Sequence, residues 1–216
     1  DTSGNLWQSV NGTTTSAYHK FGDATTAYAQ MAGYYDSSTT GHLEFYTLST
    51  TLQERMRIDS SGRVGVGTAS ATSLLQTAGS SSISAFKTPN IAEVDTISAT
   101  AATGTINYDI TTQSVMYYTS NATGNWTVNF RGSSGTSLDT LMQTGESISA
   151  TFLVTQGSTA YYNSAVTIDG NSVTPKWQGG SAPTSGNASS VDCYTYVIQK
   201  TGSATFAVLA SQTKFA

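Results

Sequence analysis

Glu54-Arg-Met-Arg-Ile-Asp-Ser-Ser-Gly-Arg-Val-Gly-Val-Gly-Thr68 is the stretch on which the fold turns. Met56 and Ile58 alternate with Arg55, Arg57 and Asp59, the period of two that marks a strand with one apolar face. Asp59-Ser-Ser-Gly62 supplies turn chemistry, with a glycine free to take positive φ. Val64 and Val66 resume the alternation, but their neighbours Gly65 and Gly67 carry no side chain. The stretch therefore predicts a hairpin whose second strand shows valine on one face and bare backbone on the other. A glycine face weakens a lone strand, so another backbone is expected to approach it closely.

Composition agrees with a β protein. Charged residues make up 10% of the 216 positions, against the ~25% of ordinary soluble domains. Ser, Thr, Gly and Asn fill the gap. A disordered chain of this polarity lacks β-formers, whereas this one has 12 Tyr, 7 Phe and 3 Trp. The net charge of −4 and the absence of a Lys/Arg cluster argue against nucleic-acid binding. Cys193 is alone, which excludes an intrachain disulfide, and its apolar strand suggests a small buried hydrophobe. No apolar run is long enough to insert into a membrane as a helix. The chain starts at Asp1 without a methionine or signal peptide, as a piece of a longer protein would.

In chain order, Leu6-Trp7, Ala17-Tyr18, Ala27-Tyr28 and Tyr34-Tyr35 are short strand candidates between Gly, Asn, Asp, Ser and Thr clusters. Leu43, Phe45 and Thr47 alternate with Glu44, Tyr46 and Leu48 and predict a clearer strand. So few large aliphatics make a poor core in one copy, and a core shared around a threefold axis is the expected remedy. Met56, Ile58, Val64 and Val66 are the candidate trimer-interface residues. The stretch 69–97 reads as a polar connector, with a helical turn suggested at Leu74-Leu75.

Beyond it the strands are cleaner. Ile106, Tyr108 and Ile110 share a face, as do Trp126, Val128 and Phe130, and Ile148, Ala150, Phe152 and Val154. Val115-Met-Tyr-Tyr118 is apolar on both faces and predicts a covered strand. Ser137 is a candidate N-cap for a brief helix over 138–143. Asp169-Gly170 is a hairpin signal, and Val191–Lys200 and Ala204–Ser211 predict a final hairpin. With no period of 20–50 residues visible, a solenoid is not expected. The reading is all-β: an N-terminal β-rich fibre segment (1–68), a connector (69–97) and a C-terminal antiparallel β-sandwich (98–216).

Glu54–Thr68 resembles a segment of tail-fibre and related virion structural proteins of tailed bacteriophages, especially those of marine cyanobacteria. From about Ser98 onwards the chain resembles the C-terminal module of the same proteins. The matching stretches are Ala101–Asp109, Tyr117–Asn121, Trp126–Gly132, Val173–Gly180 and Val208–Thr213. The resemblance implies a homotrimeric virion appendage, partnered by other tail proteins and by a host polysaccharide or outer-membrane receptor. Its expected location is the virion, outside the cell at adsorption.

Residues suited to chemistry are sparse. His19 and His42 are far apart, without a cysteine or an i+4 histidine, and read as surface residues rather than metal ligands. There is no Gly-x-Ser-x-Gly elbow, and the Gly62–Gly67 run lacks the Gly-Lys-Ser/Thr ending of a phosphate loop. Ten candidate carboxylates (Glu44, Glu54, Asp59, Glu93, Asp95, Asp109, Asp139, Glu146, Asp169, Asp192) sit mostly at turns or on polar strand faces, which disfavours a glycosidase pair. Asn11, Asn121, Asn125 and Asn187 head glycosylation sequons. No cofactor and no enzymatic activity are expected. Binding remains: Tyr161, Tyr162, Trp177 and Gln178 are the candidate ligand contacts, with aromatic plates for a sugar ring and nearby Asn163 and Asn171 for its hydroxyls. The competing and weightier reading has these aromatics plugging the sandwich ends or an interface between copies. Three functions follow in descending order: a receptor-contacting tail fibre, a virion decoration part without a receptor role, and a tailspike-like depolymerase.

Overall fold

The computed structural model describes residues 5–9 (backbone only), 16–22, 25–78 and 84–216, in two compact units, 1–90 and 91–216. The sequon at Asn11 and the connector serines at 80–82 lie outside the described residues. The fold is all-β.

The first unit holds a seven-stranded sheet in chain order: β1 (Asn5–Ser9), β2 (Ser16–Gly22), β3 (Ala27–Ser37), β4 (Thr40–Leu48), β5 (Leu52–Ile58), β6 (Val64–Val66) and β7 (Leu75–Thr77). Neighbours run antiparallel through β6, and β7 joins in parallel. Ala27-Tyr28 and Tyr34-Tyr35, expected as separate strands, belong to one 11-residue strand. The expected helical turn at Leu74-Leu75 is corrected too, since Leu75 opens β7, inside the expected connector. The β5–β6 hairpin is as read. Asp59 Oδ1 accepts from the amides of Ser61 (2.9 Å) and Arg63 (3.0 Å), and Gly62 takes φ 77°. A Cβ at Gly65 would lie 2.3 Å from the Thr68 carbonyl oxygen, so the backbone that crowds this glycine is that of the same stretch, three residues on, and not another strand.

The second unit has two sheets, of order β15-β17-β16-β12-β10-β8 and β14-β13-β11-β9. Its strands are β8 (Asp95–Ala101), β9 (Gly104–Asp109), β10 (Val115–Ser120), β11 (Trp126–Arg131), β12 (Ser147–Thr155), β13 (Asn163–Ile168), β14 (Asn171–Val173), β15 (Lys176–Trp177), β16 (Val191–Gly202) and β17 (Thr205–Phe215). The expected antiparallel arrangement holds only for β12-β16-β17 and β13-β14. Strands β8, β10 and β12 are parallel neighbours in one sheet, and β9, β11 and β13 in the other. The chain therefore alternates between sheets and winds three times, each turn adding one strand to each. This corrects the expectation of no repeat.

The repeat is visible once the register is known. Thr105-Ile-Asn-Tyr-Asp109 lies beside Thr127-Val-Asn-Phe-Arg131, with partners 22 positions apart. The third turn is longer: partners are 36 rather than 20 positions apart in one sheet, and 38 rather than 22 in the other. Both differences are 16, and both spans contain residues 132–146 between β11 and β12. That insertion carries helix α1 (Leu138–Leu141), N-capped by Ser137 as expected. Asp169 accepts from its Leu138 amide at 2.7 Å, and Lys200 Nζ reaches the Met142 carbonyl at 2.9 Å.

Alternation along the strands sends Ile106, Tyr108, Trp126, Val128, Phe130, Phe152, Val154, Tyr194, Tyr196 and Ile198 into a common core. Tilted and edge-on ring contacts cross between the sheets, such as Trp126–Phe152 at 5.9 Å and Phe130–Tyr196 at 4.9 Å. On the outer side of the four-stranded sheet the stacked turns align polar side chains. Asn129 donates to Asn107 (2.8 Å) and accepts from Thr167 (2.8 Å), and Arg131 pairs with Asp109.

Candidate ligand-binding cleft

Strand β15 is two residues long because Pro175 precedes it and Gly179 and Gly180, at φ 78° and 82°, bend the chain out of the sheet immediately after. That bend leaves Trp177 at a corner of the unit. Its ring stands edge-on to Tyr194 (6.4 Å) and Tyr196 (6.3 Å), so it forms the outer end of the core's aromatic array while staying partly exposed. Burial pushes the Tyr194 and Tyr196 phenols above their usual range. They remain neutral; the Tyr196 hydroxyl donates to Asn163 Oδ1 at 3.1 Å.

A cleft of about 250 Å³ opens between β13, β14 and the returning loop. Its apolar walls are Val173, Pro175, Trp177, Ala182 and Pro183, and its hydroxyls come from Ser172, Thr174 and Ser164, the last already donating to the Trp126 carbonyl at 3.2 Å. No charged side chain lines it. Asn163 also lines it, but its amide is spent on the Trp126 and Ala165 carbonyls and its oxygen on Tyr196. Gln178 lines two larger but more open clefts together with Trp177, of about 390 and 540 Å³.

The loop is held at its base. Asp192, fully buried, accepts from Gln156 Nε2 (3.1 Å), the Asn187 amide (3.0 Å) and Asn187 Nδ2 (2.5 Å). Gln156 in turn exchanges two hydrogen bonds with the Tyr161 backbone, at 2.6 and 3.0 Å. Gly186 passes through this knot, where a Cβ would meet the Tyr161 carbonyl oxygen at 2.1 Å. The cleft is thus preformed.

The structure divides the four predicted ligand contacts. Trp177 and Gln178 share a corner, whereas Tyr161 packs against the core and Tyr162 is tied through its amide to Asn125 at 3.1 Å. Neither tyrosine lines the Trp177 cleft. Sequence reasoning missed Ser164, Ser172, Pro175 and Pro183; the prolines flanking Trp177 were the available signal.

The predicted interface residues do share a face. Met56 lies opposite Val66 and Ile58 opposite Val64; Phe45 and Leu43 continue the same rows onto β4. Val66 is exposed and the other three are half-buried. The opposite face is ionic. His42, expected as a surface residue, is instead held between Asp36 (Nδ1, 2.8 Å) and Glu44 (Nε2, 3.0 Å) and stacks on Tyr34 at 4.9 Å. Arg57 joins Glu44 to Glu54, and its hydrogen bond holds the Glu54 carboxyl below the usual range. Desolvation, then the hydrogen bond to Glu44, pushes the Tyr46 phenol up.

Most of the candidate carboxylates are committed to structure: Asp59 to its turn, Asp109 to Arg131, Asp139 to Lys200, Glu146 to the Gln143 amide, and Asp169 and Asp192 as above. Among the described residues, no group of three or more His, Cys, Asp or Glu is placed to hold a metal ion, and no helix is long and apolar enough to cross a membrane. Cys193 is half-buried on the outer side of the six-stranded sheet, and desolvation pushes its thiol up. No protein-family model matches this chain, and neither a curated protein nor a solved structure does.

Proposed function

We propose that this chain is part of a tailed-bacteriophage virion appendage, a tail fibre or its near equivalent, that assembles as a homotrimer and contacts the host surface through residues 91–216. The observation that carries this reading is the uncharged Trp177 cleft. An indole beside prolines offers apolar contact to a sugar ring, and serine and threonine hydroxyls suit its polar edge. The absence of charge selects neutral glycan over phosphate or sulfate. The cleft, smaller than the ~300–1,000 Å³ of typical small-molecule sites, has room for about one ring. The resemblance of Glu54–Thr68 and of the segment after Ser98 to tail-fibre proteins supports the same class. The role assigned is binding, without catalysis.

The test is adsorption of the protein to purified lipopolysaccharide and to whole cells of candidate hosts, with Trp177→Ala beside the wild type. The variant is expected to bind about tenfold more weakly, since ~1.4 kcal/mol of lost contact is tenfold. A Trp177→Ala protein that keeps its near-UV circular dichroism and binds as wild type would remove the cleft from the proposal. No adsorption to any host would favour a decoration part. That second reading has its own support, because the Trp177 ring is already packed on Tyr194 and Tyr196. Release of reducing ends from the polysaccharide would instead promote the depolymerase.

A further inference from the structure

The outer face of the six-stranded sheet is unlike the rest of the surface. Across β8, β10 and β12 it presents Ile97, Tyr117 and Leu153 in one row, and at its far side Val197, Leu209 and Phe215. Ile97 is 69% exposed, Phe215 58% and Leu209 46%. Four of its hydroxyls are already paired with one another, Thr195 with Ser211 at 2.6 Å and Thr155 with Tyr117 at 3.3 Å, so covering those costs few bonds to water. The strand 115–118, which reads as covered on both faces, has its Val115 and Tyr117 here.

Charge is confined to two opposite edges of this face. Asp95 lies on edge strand β8, beside Val115, and Lys176 on edge strand β15, beside Leu209. Among the described residues neither has an ion-pair partner. A face with opposite charges on opposite edges suits head-to-tail contact, one copy's β8 edge meeting the next copy's β15 edge. Repetition of such a heterologous contact closes a ring when its rotation is a whole fraction of a turn, and runs on as a filament otherwise.

We infer that this face is where copies of the chain meet, with the three six-stranded sheets turned towards a common axis and Asp95 of each copy beside Lys176 of the next. The dimensions fit three. Six strands span ~24 Å, so three such sheets in a triangular prism stand ~7 Å from the axis; outer side chains reach ~5 Å, half the spacing of packed sheets, and fill the interior. Four copies would stand ~12 Å away and leave an open channel. The inference rests on the homotrimer reading and not on the glycan cleft.

Charge reversal tests it. Light scattering is expected to give three chains for the wild type and lower mass for Asp95→Lys, which sets lysine against lysine. The double variant Asp95→Lys/Lys176→Asp is expected to recover the trimer. Thr105→Glu, on the outer side of the four-stranded sheet, is expected to leave the mass unchanged. Cys193 lies within the face, so a maleimide is expected to label it at least tenfold faster in Asp95→Lys than in the wild type. Near-UV circular dichroism separates dissociation from unfolding. A trimer indifferent to Asp95→Lys and to Leu209→Glu would overturn this interface and leave the homotrimer reading standing. A dimer, or a monomer at every concentration, would sink both.

Discussion

Gly186→Ala disturbs the close approach at the base of the Trp177 loop. The added methyl carbon would sit 2.1 Å from the Tyr161 carbonyl oxygen, 2.8 Å from Gln156 Nε2 and 2.9 Å from Asp192 Oδ2. The first of these is backbone and cannot rotate away, so the loop or the strand entry must shift. Forced overpacking costs ~1–3 kcal/mol. Any shift also lengthens hydrogen bonds to a buried carboxylate, each worth ~1.5–3 kcal/mol. Relief is partial, so about 3 kcal/mol is expected, or about 10 °C in Tm for a unit of this size. Urea unfolding followed by tryptophan fluorescence reads it, because Trp126 lies in the core of the same unit. Asp192→Asn in the same background should show a smaller further loss than in the wild type, since the two changes disturb one network. A Gly186→Ala protein within 0.5 kcal/mol of wild type would refute the close approach, and with it the claim that the cleft is preformed.

Three other outcomes are expected. Asn129→Ala removes a donor to Asn107 and an acceptor for Thr167 and the Gly170 amide, and should cost ~1–3 kcal/mol in the same unfolding assay. Asp169→Ala loses two caps on α1 and places alanine at φ 52°, for about 2 kcal/mol; Asp169→Gly should recover the turn's share of that loss but not the caps'. The first unit should weaken in acid. Glu54 titrates below its ordinary 4.5 when folded, so its contribution is present above that value and is lost as pH falls through the folded value. The effect should be no more than ~1 kcal/mol for this partly exposed pair and absent in Arg57→Ala, as read by amide hydrogen exchange in β4 and β5 between pH 5 and 3.

Faces were legible in the sequence and neighbours were not. Alternation correctly sent Tyr108, Trp126, Val128, Phe130, Phe152 and Val154 inward, because side-chain direction depends only on the period of two. The same period is indifferent to whether a strand pairs with the next one in the chain or the next but one. An antiparallel sandwich was therefore expected, although the short connections after β8 and β10 change sheets. The Thr-x-Asn-x-x repeat at 105–109 and 127–131 was the signal for winding, and it was obscured because the third turn is broken by residues 132–146 and carries Thr167 where asparagine stood. At the site, Trp177 was legible from its Pro and Gly neighbours. Tyr161 was not, since what commits its backbone is Gln156 and, behind it, Asp192, 31 positions further on. His42 was misread for a local reason: a tight β3–β4 turn brings Asp36 to its ring, and period two puts Glu44 on the same face.

The scarcity of charge explains why both units are left with an uncovered apolar face. Charges on a soluble β protein ordinarily blunt its sheet faces and edges. Here many are spent inside the chain instead. Asp36, His42, Glu44, Glu54 and Arg57 form one cluster on the polar face of the first sheet, and Asp59–Arg63, Asp109–Arg131 and Asp139–Lys200 are pairs. What remains for the outer faces is hydroxyl and aliphatic surface, which carries little electrostatic penalty for meeting a copy of itself despite the net −4. The faces bearing Met56 and Val66 in the first unit, and Leu153 and Leu209 in the second, are thus two consequences of one allocation. If that is the cause, adding charge should dissociate and solubilise the protein without unfolding it: Val66→Lys and Leu209→Glu, both at exposed positions, should each lower the solution mass while costing less than ~0.5 kcal/mol of stability per chain. Loss of fold in either variant would mean that the residue packs within its own chain, and would break the link between low charge and self-assembly.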